Sequence, residues 1–174
     1  MADNWIFYLG HTAPLLAGAS LLVFAAMHDI AARTIPNTVS LALATLGLVL
    51  RVAEGQVVSS LALGALVFAV CAACWLRGWM GGGDVKLLTA AAVFVPTATV
   101  GQMIVATTLA GGVVAIFYLL ARLVARRIAL RASPAPRRFL ARVLRAEHWR
   151  LLRGSPLPYG SAIAAGTLFV IFLG

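Results

Sequence analysis

Acid is what this chain has least of. Only five of its 174 residues are Asp or Glu, against 14 Lys and Arg, and charged residues of both signs make up 11%. Soluble domains carry roughly twice that share of charge on their surfaces, so a water-soluble globular fold is excluded. Cysteine is scarcer still. Cys71 and Cys74 make a single C-x-x-C inside an apolar run with no second pair, which argues against a disulfide framework, a zinc site or a redox centre and for small packing residues. The three histidines, at 11, 28 and 148, are too dispersed for a metal cluster, and no serine is placed to pair with a histidine beside an acid. Met1 to Asn4 lacks a basic stretch and the first apolar run leads into further apolar runs, so no cleavable secretory leader is expected.

What the chain has in excess is hydrocarbon. Hydrophobic residues account for 62% and mean hydropathy is +0.98. At roughly 20 apolar residues per crossing, the expected fold is an all-α, polytopic membrane protein of about six transmembrane helices, occupying 1–174 as a single domain. The expected spans run from about Thr12 to Met27, Pro36 to Ala53, Val57 to Leu76, Val85 onward with Pro96 as a break, Gly101 to Ala121, and Gly160 to Leu173. Pro36 can end the first helix and open the second, Glu54-Gly55-Gln56 makes a polar turn, and Gly111-Gly112 suits close helix packing. Trp5, Tyr8 and Trp79 suit a membrane-water boundary.

The basic residues are unevenly spread. Residues from about 122 to 158 hold ten arginines, with Phe139, Leu140, Val143, Leu144, Leu151 and Leu152 recurring among them at near-helical spacing. That pattern predicts one amphipathic helix lying in the headgroup plane, a topology determinant and lipid anchor with affinity for anionic headgroups. Nucleic acid is a poor reading for this basic charge. Counted by side, thirteen of the fourteen basic residues fall together and Arg51 alone falls opposite. The majority side is expected to be cytoplasmic, with both termini outward.

Against this background two acids stand out. Asp84 follows Gly81-Gly82-Gly83 between apolar runs, where an ionisable group is a functional-site hypothesis by default. The glycines remove side chains and would let another backbone, such as a substrate peptide, approach the acid. Asp29 closes the first span. Between them the chain crosses the membrane twice, so both acids return to the same face although 55 positions apart. Asp3 and Glu54 belong to the other side, and Glu147 lies among arginines. Two carboxyls within a few ångströms share a proton, which places a base and an acid side by side. In the aspartic-protease pattern the ionised member activates a water that attacks a peptide carbonyl, with no metal or cofactor. The plain alternative is a pair of interfacial acids capping helices, which suits Asp84 at a helix start better than Asp29 at a helix end. Arg33, at i+4 from Asp29, can pair with it or reach a lipid phosphate. Lys86 can tune Asp84 or meet a headgroup, and His28 suits the interface.

Gly81-x-Gly83-Asp84 matches the GxGD signature of intramembrane aspartyl proteases. Asp29 through Ile35-Pro36-Asn37, with Gly82-Gly83-Asp84-Val85-Lys86-Leu87-Leu88 and the late Pro158-Tyr159-Gly160, resembles the type IV prepilin peptidases. The resemblance implies catalysis by Asp29 and Asp84, and a prepilin or pseudopilin substrate cut after a glycine where a short basic leader meets a hydrophobic helix. It also implies action at the cytoplasmic face of the bacterial inner membrane. Larger family members carry two C-x-x-C pairs in a cytoplasmic segment and N-methylate the new terminus. Here the first loop is only about Ile30 to Ile35 and has no cysteine, so the chain resembles the short peptidase-only branch serving Flp-type pilins, without S-adenosylmethionine. Rival expectations are a protease for remnant signal peptides with deeper acids, a small transporter or proton-relay subunit, and a non-catalytic secretion-assembly partner. Neither an internal repeat nor a midplane acid supports the relay.

Overall fold

A computed structural model describes residues 2–128 and 157–173, with side chains over 12–123 and 157–173. The elements, in order, are α1 (Ala2–Ala32), α2 (Asn37–Ala53), α3 (Val57–Leu76), α4 (Gly82–Phe94), a 3-10 turn (Thr97–Thr99), α5 (Val100–Ile128) and α6 (Tyr159–Leu173). The described residues contain no strand. The chain divides into two compact units, one made of Met1–Ala110 and Pro158–Gly174, the other of Gly111–Leu157. The first carries the candidate site.

Three helical stretches are long and apolar enough to cross a membrane, Thr12–Ala32, Val57–Leu76 and Thr97–Leu123, and α2 and α6 are shorter apolar helices. The expected fourth span is cut short. α4 has 13 residues, about 20 Å at 1.5 Å per residue, because Pro96 cannot continue a helix and the chain turns before α5. The boundaries expected for the third span agree with α3, and Pro36 sits at the N-cap of α2 with φ −61°. The interfacial helix expected within 122–158 lies, but for its first residues in α5, outside the described residues, as do the side chains of Trp5 and Tyr8.

α4 is the centre of the first unit. It packs on α2, α3 and α6, while α1 packs on α2 and α6. From Val85 to Phe94 all but Lys86 and Thr89 are buried, as befits a helix apolar on nearly every side. The surrounding helices turn single stripes toward it. α1 buries Leu22, Ala25 and Asp29, α2 buries Val39, Leu43, Gly47 and Leu50, and α3 buries Ser60, Gly64, Val67 and Cys71. Steps of three and four residues keep each set on one helical face. The opposite faces leave Leu16, Phe24, Leu61, Leu66 and Val70 exposed, the surface a bilayer would cover.

Close approach is made by glycine. A β-carbon at Gly47 would stand 2.5 Å from the Phe94 Cα, backbone against backbone, and Gly18 of α1 and Gly64 of α3 likewise make room for Phe94 and Val93. The Gly111-Gly112 pair does not serve this purpose at its second position, since a β-carbon on Gly112 meets nothing within 4 Å. Arg51, the lone cation on its side by the sequence count, is buried and pairs with Glu54 at 2.6 Å.

Candidate active site

The last turn of α1 continues the buried stripe of Leu22 and Ala25, so helical phase carries Asp29 into the interior at 6% exposure. A buried carboxylate needs donors. Its Oδ2 accepts the Gly160 backbone N–H at 2.8 Å, from the free first turn of α6. α1 then ends sharply. The Arg33 N–H donates to the Asp29 carbonyl at 2.8 Å, and Arg33 itself takes the left-handed conformation at φ 56°, a position that usually favours glycine. The His28 Nδ1 meets the Thr34 carbonyl at 2.7 Å and its ring lies 5.9 Å from Phe24, so His28 fastens this turn. The charge of Arg33 reaches Asp29.

Asp84 sits in the first turn of α4, with its N–H donating to the Gly81 carbonyl at 3.1 Å. Burial, and next the charge of Asp29, push its carboxyl up from the ordinary 3.8 to about 6, against a bond from the Gly81 backbone that lowers it. The two acids expected at one face are thus close enough to feel each other. Ile35 joins their surroundings. A β-carbon on Gly83 would lie 3.3 Å from the Ile35 Cβ, and one on Gly160 would lie 2.9 Å from its Cδ1. Two of the glycines before Asp84 therefore make room for the protein's own side chains, Ile35 at Gly83 and the Asp84 carboxyl itself at Gly81, whereas a β-carbon on Gly82 would meet Trp75 only at an ordinary 3.4 Å. Lys86 does not serve Asp84. Its Nζ donates to the Asn37 Oδ1 at 2.9 Å on α2.

A model of the type IV leader peptidase family matches residues 16–119. The chain belongs to the type IV leader peptidase family. No curated protein and no solved structure matches it. Membership in the type IV leader peptidase family makes this a peptidase with a prepilin kind of substrate, and together with the apolar helices it makes the chain an integral membrane protein. The match takes in Asp29 and Asp84 but stops short of α6.

α6 is the part of the site that sequence reasoning saw only as a family element. Pro158-Tyr159-Gly160 brings a backbone donor to Asp29, and Tyr159 stands near Asp84: burial, then the charges of Asp84 and Cys71, hold its hydroxyl above the usual 10. The available signal was a glycine in the first turn of a helix after a proline, where free N–H groups await an acceptor. Among the described residues no group of three or more His, Cys, Asp or Glu could hold a metal ion.

The raised Asp84 value predicts a pH-dependent stability. A carboxyl that holds its proton more tightly when folded stabilises the folded state fully below 3.8 and loses that contribution as pH rises through about 6. The penalty at pH 7.5 is about 2 kcal/mol after discounting for water reaching the carboxyl. Asp84→Asn, neutral at every pH, is expected to melt several degrees above wild type at pH 7.5 and level with it at pH 4. Equal melting at both values would show that Asp84 is not desolvated.

Proposed function

We propose that this protein is a six-span aspartic endopeptidase of the cytoplasmic membrane that removes the leader of Flp-type prepilins, with Asp29 and Asp84 as its catalytic pair. The observation that carries the reading is geometric: Gly160 bonds Asp29 at 2.8 Å, and Ile35 packs against both Gly160 and Gly83, the residue before Asp84, so two acids from different helices border one place in a chain otherwise almost devoid of acid.

Roles follow from surroundings. Asp29, whose Oδ2 accepts the Gly160 N–H and whose own helical turn ends at Arg33, takes the part of the base. Asp84, whose proton is retained up to about 6, is the acid. A water between them gives a proton to Asp29 and its oxygen attacks the scissile carbonyl. Asp84 donates first toward the carbonyl oxygen, and collapse of the tetrahedral intermediate expels the amine with a proton from the pair. Neither acyl-enzyme nor metal is needed. Helix-end acids suit a bond at the junction of a basic leader and a membrane helix, on the face that collects the positive charge. Absence of cysteine from the α1–α2 turn supports peptidase action without N-methylation.

The test is co-expression with a leader-bearing Flp-type prepilin, followed by the size shift and by mass spectrometry of the mature N-terminus. Cleavage after the leader glycine, leaving an unmethylated amine, is expected. An intact leader in the presence of membrane-inserted enzyme would refute the substrate assignment.

A further inference from the structure

A second feature of the first unit lies away from the acid pair. α2, α3 and α4 frame a groove of about 470 Å³ that is polar at one end, where Asn37, Ser40 and Lys86 line it, and apolar along Leu41, Ala44 and Phe68. Asp84 and Lys86 are two residues apart on α4, about 200° around the helix at 100° per residue, so the groove opens on the face of α4 turned from the proposed catalytic acid.

Its polar end is short of acceptors. Lys86 is exposed, spends one donor on the Asn37 Oδ1 at 2.9 Å, and has no ion pair among the described residues. Ser40 is 6% exposed and its hydroxyl has no hydrogen-bond partner among the described residues. Thr107 shares that state, whereas Ser20, Thr45 and Thr89 each donate to the carbonyl four residues back. A buried hydroxyl without a partner is costly. Asn37 is the first residue of α2 and Lys86 lies near the start of α4, so two helix N-termini, each positive, border the same end. The apolar end is open to the membrane: Leu41 and Phe68 are 69% and 51% exposed.

We propose that this groove is a binding site for one anionic phospholipid, its phosphate held by Lys86 and the Ser40 hydroxyl and an acyl chain lying along Leu41, Ala44 and Phe68. A cation and an unfilled hydroxyl at headgroup level, above an apolar channel of membrane-facing side chains, match an amphiphile with a negative head. A prepilin helix is disfavoured as occupant because its scissile bond must reach Asp84 on the other side of α4. That exclusion rests on the protease reading; the charge, the hydroxyl and the groove do not.

The test uses the whole protein in phosphatidylcholine vesicles doped with phosphatidylglycerol or phosphatidylcholine that bears a photoactivatable acyl chain, with cross-links mapped by peptide. Phosphatidylglycerol is expected to label the groove segments of α2 and α3 at least threefold more than phosphatidylcholine does. Lys86→Gln lowers that labelling at least threefold and Ser40→Ala lowers it less, while Arg77→Gln, on an exposed cation that stacks on Trp79 outside the groove, leaves it unchanged. Equal labelling by the two lipids, or unchanged labelling in Lys86→Gln, overturns the proposal. Competition by inorganic phosphate would make the occupant a free anion, and displacement by a prepilin would make it the substrate; either result also overturns it.

Discussion

Asn in place of Asp29 or of Asp84 is expected to end prepilin processing, with a loss of at least ~10³-fold in cleavage rate, while both variants remain in the membrane at wild-type levels. The size of the loss follows from division of labour. Asp29→Asn keeps an oxygen for the Gly160 N–H but has no charge with which to take a proton from water. Asp84→Asn keeps the volume of the acid but has no carboxyl proton to donate to the carbonyl oxygen as the water attacks. Because the two acids act on one water, the double variant should be no worse than either single one, a non-additivity that separate structural defects would not produce. Processing assayed by gel shift at matched membrane levels decides the matter. Complete cleavage by either single variant would refute the pair.

Gly160→Ala is the second large effect, and it acts through position. The added β-carbon would stand 2.9 Å from the Asp29 Oδ2, 2.9 Å from the Ile35 Cδ1 and 3.1 Å from the Asp29 Cβ. The start of α6 must therefore retreat, drawing the N–H away from the carboxylate it now meets at 2.8 Å. A displacement of this order at a base costs on the order of 10²-fold in rate. The loss should fall on kcat, with KM nearly unchanged, since no substrate contact is removed. Gly101→Ala is the matched control, because a β-carbon there meets nothing within 4 Å. Equal activity of the two variants would remove Gly160 from the site.

Much of this arrangement can be read from the chain. The turn at Glu54–Gln56 and the limits of α3 follow from hydropathy and polar punctuation, and the shared face of Asp29 and Asp84 follows from parity of crossings, which tolerates errors of several residues at each boundary. What sequence alone missed depends on contacts between distant segments. Nothing local says that α4 is enclosed on nearly all sides, because its Ala-Ala-Ala-Val-Phe run reads equally well as a lipid-facing span; burial comes from the glycines at 18, 47 and 64 on three other helices. The glycine at 83, read as space for a substrate, also gives Ile35 its place. Gly160 lies 131 positions from the acid it serves, beyond the reach of any periodicity.

The enclosure of α4 bears on how the enzyme comes to be active at all. A helix of 13 residues opening on an ionisable side chain is a poor candidate for independent insertion during synthesis. Its seat is prepared by neighbours whose glycines receive Phe94. α4 is therefore expected to settle only once the hairpin of α2 and α3, together with α1, offers that seat, so that Asp84 comes beside Asp29 late in assembly.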